Sequence, residues 1–195
     1  MKIIDITRTA QDAPLYPGTE PVKIEKLSDL SLGGECNESV ITASSHAGTH
    51  ADAFSHFIKG SDLTIDKMDL ALFCGDCRVI TVPEKSLIKT DDIRGKIEGA
   101  RKVVLHGGGK SCLCHESAEY LLSCGVHTVV TDALSVAEPD SEAAIHTLLA
   151  NAGVAIIENV VLDNVTDGKY LLFAFPVKYG GCDGAPVRAV LITGQ

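Results

Sequence analysis

Eight short runs rich in Val, Ile, Leu or Thr, each closed off by Gly, Pro or Asp, constrain this chain more than any other feature. They fall at residues 2–7, 39–44, 78–82, 102–106, 127–131, 154–157, 170–175 and 187–193. Runs of this length and composition, with turn residues at their ends, read as strands. Three segments carry a helical pattern instead. Thr90 can cap a helix running through Asp91, Asp92, Ile93 and Ile97, with acids in its first turn. A second extends from about Glu116 to Cys124 and stops at Gly125. The third begins near Asp140-Ser141 behind Pro139, places Ile145, Leu148 and Leu149 on one face, and stops at Gly153. The second and third helices each run directly into an apolar strand. Strands outnumber helices. This predicts an α/β fold: a single sheet-dominated domain with a mixed, barrel-like β-sheet flanked by a few helices, and not a doubly wound sheet.

At 195 residues the chain can close one substantial core, so a single domain over residues 1–195 is expected. Its net charge is −9, from 17 basic and 26 acidic residues. That balance argues against a nucleic-acid partner, because phosphate binding needs clustered Lys and Arg. The opening Met1-Lys2-Ile3-Ile4-Asp5 puts an acid where the apolar core of a signal peptide should run. No stretch approaches the roughly 18 uninterrupted apolar residues of a membrane span, so a cytoplasmic location is expected. The seven cysteines are odd in number, and in a reducing compartment they are expected to be free thiols.

Chemistry concentrates in His46-Ala47-Gly48-Thr49-His50-Ala51-Asp52 and, just beyond it, His56. On an α-helix His46 and His50 would share a face, but His50 and Asp52 would sit about 200° apart. On a strand His50 and Asp52 point the same way, with Cα atoms about 6.6 Å apart, close enough to share one metal. His46 would lie about 13 Å from His50 on a straight strand. A bend at Gly48-Thr49 brings it back, and glycine is the residue that permits one. The spacing therefore fits a bent strand or loop presenting two imidazoles and a carboxylate to one point, a ligand set suited to Zn²⁺ or Mn²⁺. A polar strand edge with ordinary hydrogen-bonded histidines is the plainer alternative. Two later residues extend the argument. His146 lies on the third helix, where apolar neighbours could simply bury it. Glu158 interrupts the apolar run from Val154 to Leu162. There it either marks a solvated strand end or needs a buried partner such as a metal cation.

The segment from His46 to His56 resembles the signature H-x-G-T-H-x-D-x-P-x-H of the cyclase family of metal-dependent hydrolases, which includes bacterial kynurenine formamidases and isatin hydrolases. Phe54 stands where that signature has proline. Ile4-Asp5-Ile6-Thr7 with Tyr16-Pro17-Gly18 is similar to the family's first strand and following loop, with Tyr16 in place of Trp. Thr131-Asp132-Ala133-Leu134-Ser135, the pair His146 and Glu158, and the block from Phe175 to Arg188 containing Asp183-Gly184-Ala185-Pro186 complete the order of motifs. The resemblance implies one or two divalent metals, with His46, His50 and Asp52 holding the first. Asp52 would bridge to a second metal held by His146, and Glu158 would touch both. It further implies His56 as acid/base, Tyr16 against the aromatic part of a small amide substrate such as N-formylkynurenine, and assembly into homodimers or larger homo-oligomers.

Cys74-Gly75-Asp76-Cys77 with Cys112-Leu113-Cys114 offers a rival reading, a structural zinc in a non-catalytic metal-binding or sensor protein. Cys-x-Cys is tight for one tetrahedral ion, and Cys77 reads as the start of a strand with Cys74 in the turn before it, so buried thiols are expected. His106-Gly107-Gly108-Gly109 lacks the Gly-Lys-Ser/Thr ending of a phosphate loop and reads as a plain loop.

Overall fold

The computed structural model describes residues 1–193. Among these residues thirteen strands form: β1 (Lys2–Asp5), β2 (Lys23–Ser28), β3 (Glu38–Thr42), β4 (His50–Asp52), β5 (Cys74–Thr81), β6 (Leu87–Ile88), β7 (Lys102–His106), β8 (Cys112–Leu113), β9 (Thr128–Thr131), β10 (Ala155–Glu158), β11 (Gly168–Phe173), β12 (Gly184–Pro186) and β13 (Val190–Thr193). Three α-helices, α1 (Thr90–Ile93), α2 (His115–Ser123) and α3 (Glu142–Asn151), and several short 3-10 turns complete the chain.

Side chains along a strand alternate between faces, and that alternation divides the interior into two cores. Val79, Val104, Val130 and Ile157 enter one core. Their neighbours Ile80, Val103, Leu105, Val129 and Ile156 enter the other, where Ile93 of α1, Leu121 of α2 and Ile145 and Leu149 of α3 cover them. All three helices thus lie on one face, which excludes a doubly wound arrangement. Each fully buried Val, Ile or Leu contributes about 1.5–3 kcal/mol, so both cores are needed to hold so thin a sheet.

Nine strands join the main sheet in the order β1-β13-β11-β5-β7-β9-β10-β4-β12. The centre from β5 to β10 is parallel, and the flanks are antiparallel. The first core gathers Ile6 and Leu191 from one flank together with Ala51 and Ala185 from the other. Backbone bonds close the gap: the Ile6 N–H donates to Ala189 O at 3.0 Å, and the Ile6 carbonyl accepts from the Val161 N–H at 2.9 Å. The sheet is therefore curled into a half-barrel, as the sequence predicts.

Seven of the eight predicted strands lie in this sheet. The eighth, 39–44, becomes β3 and pairs instead with β2 in a separate two-stranded ribbon, Ile24 opposite Ile41. Its composition marks a strand but carries nothing that names its partner. The short strands β4 and β12 are built largely from His, Ala, Asp, Gly and Pro, and so escape a composition-based search. The helix predicted from Thr90 to Ile97 is cut to one turn. Arg94 leaves helical geometry (φ −57°, ψ 129°), and Gly95, Glu98 and Gly99 all take positive φ. α2 and α3 end as expected, with Gly125 and Gly153 just beyond them at φ 78° and 74°. Among the described residues no helix is long and apolar enough to cross a membrane.

Candidate metal centre

The register of three strands assembles the site. β4 lies between β10 and β12, with His50 directly opposite Glu158 on one side and Asp52 opposite Gly184 on the other. Residues 50 and 52 share a face, as strand geometry requires. Gly48 supplies the bend, at φ 70°, in the left-handed region that favours glycine. Two polar residues pin the bend: the Thr49 hydroxyl donates to Asn159 O at 2.8 Å and accepts from the Arg8 N–H at 2.8 Å. Asn159, itself at φ 61°, accepts from Arg8 Nε at 2.9 Å.

The bend turns His46 back onto Asp52. Its Nδ1 lies 3.0 Å from Asp52 Oδ1, and His50 Nε2 lies 3.5 Å from the same oxygen. The other Asp52 oxygen faces His146 Nε2 at 3.6 Å. Glu158 spans the two sides, with Oε1 at 3.3 Å from His146 Nε2 and Oε2 at 3.5 Å from His50 Nε2. Three groups that could hold a cation result, His46/His50/Asp52, Asp52/His146/Glu158 and the more exposed His46/His56/Asp183, each with its ligand atoms within 4.8 Å of one another. Asp52 belongs to the first two.

The imidazoles are oriented for this. His50 Nδ1 faces Gly48 O at 3.0 Å and His146 Nδ1 faces Glu142 O at 2.8 Å. A carbonyl can only accept, so each Nδ1 carries the proton and each Nε2 is left to face the carboxylates. Glu158, buried at the end of β10, is steadied by the Val136 N–H, which donates to Oε1 at 2.7 Å. The electrostatics favour a cation. Burial alone would push His46 and His146 down, but hydrogen bonds and attraction to Asp52, Asp183 and Glu158 outweigh it and raise both to about 9. Burial likewise opposes, without cancelling, the lowering of Glu158 by His146 and His50. A field that favours extra protons here favours a dication for the same reason, and the donor set of imidazole nitrogens and carboxylates fits one.

His56 sits on a 3-10 turn (Phe54–His56) rather than on β4. Its ring stacks on His46 at 4.0 Å between centroids. Its Nδ1 lies 3.2 Å from Asp183 Oδ2, an oxygen also 3.1 Å from His46 Nε2. Burial, with His46 also lowering it, holds the His56 imidazole below its ordinary value despite nearby Asp52 and Asp183. Phe54, in the place of the signature's proline, packs against the first core. Tyr16 enters from the loop after β1 and donates its hydroxyl to Glu142 Oε2 at 2.6 Å. That bond, with burial and the charge of Glu142, pushes its phenol up to about 12. A cavity of about 260 Å³ joins these groups, lined by Tyr16, His46, His50, His56, Phe57 and Leu134.

Asp183, Gly184 and Glu142 are the residues that sequence reasoning missed. Asp183 also accepts from Ser45 Oγ at 2.9 Å, and its carboxyl, though raised by burial, is lowered to about 2 chiefly by His46. Gly184 leaves room: a Cβ there would lie 2.6 Å from His46 Cε1 and 3.0 Å from Ala51 O. The signal was present in the Asp183-Gly184 block, but its spacing from the histidines is too long to suggest a shared site. The cysteines take no part. All seven are free, and among the described residues no cysteine belongs to a metal-competent group. Cys74 begins β5 rather than preceding it, which corrects the expected turn.

The family model described as "Putative cyclase" matches residues 4–138. A kynurenine formamidase of Bacillus cytotoxicus is 34% identical over 96% of this chain and 96% of its own length. A solved structure of a "predicted metal-dependent hydrolase" from Bacillus stearothermophilus superimposes with a TM-score of 0.82 at 28% identity, covering 97% of each chain. An isatin hydrolase bound to thioisatinate shares the fold, with a TM-score of 0.85 at 21% identity over 100% of this chain and 93% of that one. The half-barrel, the order of the motifs and these similarities agree: the chain belongs to the cyclase family.

Proposed function

We propose that this chain is a metal-dependent amidohydrolase of the arylformamidase type, acting on N-formylkynurenine or a related formamide or cyclic amide. The observation that carries the reading is Asp52, whose two oxygens face the His46/His50 side and the His146 side respectively. In this reading His46, His50 and Asp52 would hold one divalent ion and His146 a second that Asp52 also reaches, with Glu158 touching both. One or two such ions, Zn²⁺ or Mn²⁺, supply Lewis acidity toward a carbonyl oxygen and lower the pKa of water toward about 7. His56 lines the same cavity and passes a proton to the departing nitrogen as acid/base, while Asp183 holds its ring in place. Tyr16 bounds the cavity where an aromatic substituent would rest, its hydroxyl fixed by Glu142. At about 260 Å³ the cavity fits a small molecule. The kynurenine formamidase similarity over nearly the full chain supports a formamide as that molecule.

The test is to strip the protein with a chelator, then assay N-formylkynurenine, formanilide and isatin before and after restoring Zn²⁺ or Mn²⁺. Metal-dependent hydrolysis of a formamide is expected. Full metal loading without turnover of any of the three would leave a binding protein instead. The same reading includes a homodimer or larger homo-oligomer. The β2–β3 ribbon exposes Ile24, Leu27 and Ile41, and a two-stranded ribbon is marginal alone in water. Light scattering checks the mass.

A further inference from the structure

A second cavity, of about 540 Å³, opens at the other end of the sheet. Lys102 starts β7 and His127 precedes β9, whereas Glu158 ends the neighbouring parallel strand β10. The walls carry Arg78, Arg101, Lys102, His127 and Lys169, against the acids Asp76 and Glu98. In a chain of net charge −9 this is a marked local excess of positive charge.

Apart from Arg78, these cations are not balanced from within. Lys102 is 7% exposed, yet among the described residues neither it nor Arg101 makes an ion pair. The ion pair within this cavity joins Arg78 to Glu98 at 2.8 Å. Glu98 makes it from a left-handed backbone, φ 49°, a conformation costly for a residue other than glycine. Arg78 and Lys169 are direct cross-strand partners of β5 and β11, and both side chains line the cavity. Like charges placed opposite one another destabilise a sheet. Burial lowers the Lys102 ammonium and Arg101 adds to it, against opposing pulls from Cys74, Cys77 and Asp76. Burial, Lys102 and Arg101 likewise lower His127.

We infer that this cavity is a binding site for a small, multiply charged oxyanion, a phosphate ester or a dicarboxylate, held by Lys102, Arg101, Arg78 and Lys169. Such a ligand supplies the missing counter-charge to Lys102, Arg101 and Lys169 and can share Arg78 with Glu98, and arginine is suited to gripping planar or tetrahedral oxyanions through paired N–H groups. The site is separate from the metal centre and does not depend on what that centre hydrolyses.

Inorganic phosphate and succinate, which chelate metals weakly, are the probes. Each is titrated by calorimetry into the metal-loaded protein at constant ionic strength set with sodium chloride. Saturable binding is expected, with affinity reduced about tenfold or more in the Arg101→Gln/Lys169→Gln double variant and in Lys102→Met. Arg101 and Lys169 are exposed, so the double variant tests the site without disturbing the core. Preference for phosphate identifies a phosphate ester, and preference for succinate a dicarboxylate. Absence of saturable binding overturns the inference, as does binding that all variants retain, which would place the anion elsewhere. An assembly that dissociates in the double variant, with no anion bound to wild type, overturns it too, because an acidic segment of a second copy would then fill the cavity.

Discussion

His56 Nδ1 and Asp183 Oδ2 lie 3.2 Å apart although 127 positions separate them along the chain. The carboxylate orients an imidazole that no strand holds. His56→Ala is expected to retain metal and lose about 10²–10⁴-fold in turnover, the range of a positioned proton-transfer group. Asp183→Asn should cost about 10–100-fold, as outer partners of site residues do. Metal titration beside steady-state kinetics checks both. Weakened metal binding in His56→Ala would make His56 a ligand and remove its acid/base role.

Asp52→Ala and His50→Ala are expected to strip metal and abolish hydrolysis, whereas Cys74→Ser and Cys114→Ser leave metal content unchanged. Elemental analysis of the purified variants decides it. A cysteine variant that loses metal while Asp52→Ala keeps it would reverse the assignment.

The two groups sharing Asp52 should also separate by stoichiometry. Glu158→Gln should lower the metal-to-protein ratio and activity together, since Glu158 faces both His50 and His146. His146→Ala should release one ion more readily than the other. A wild-type ratio that never exceeds one under metal-replete conditions would leave a mononuclear site.

Protons and a divalent ion would compete for these histidines. In metal-free protein His46 and His146 titrate at about 9, against an ordinary 6.5. Their contribution to stability is complete below pH 6.5 and is lost as pH rises through about 9. Asp183, lowered to about 2 from 3.8, contributes fully above 3.8 and adds no slope in that window. Metal-free protein should therefore melt at progressively lower temperature from pH 6.5 to 9, and bound metal should flatten the trend. Circular dichroism melts with and without chelator measure it, and a metal-free protein that gains stability over this range would contradict it.

Gly184→Ala should cost about 1–3 kcal/mol, the usual penalty of forcing atoms into a filled space, and should weaken metal binding by displacing His46. Gly180→Ala, where a Cβ meets nothing within 4 Å, is the control. Urea denaturation and metal titration of both variants test it. Equal behaviour of the two would show that His46 moves aside freely.

Much of the core was legible because continuous apolar runs such as Lys102–His106 and Ala155–Glu158, buried on both faces, carry their own signature of composition and length. The bend at Gly48 could be argued from ligand spacing alone. Less could be read where function replaces hydrophobicity. β4 and β12 spend their positions on His, Asp, Gly and Pro, so nothing in their composition announces a strand. Phe54 shows the limit of reading a motif by matching letters: the proline is absent, yet the turn that carries His56 still forms. Long-range pairing was least visible. Neither β3's union with β2 nor the approach of Asp183 to His46 follows from local chemistry, because each depends on which surfaces remain unpaired after the sheet has curled.

The placement of β4 between β10 and β12 bears on how the protein matures. Residues 46–56 are synthesised in the first third of the chain, but the strands that flank them come from 155–158 and 184–186. A contact such as that of His46 with Asp183 closes a separation of 137 positions, and such non-local closures form late in folding. A nascent chain on the ribosome therefore exposes His46, His50 and Asp52 long before His146, Glu158 and Asp183 emerge. The full set of candidate ligands can come together only after residues 155–186 have been made, so a product interrupted before them carries the signature segment without the site.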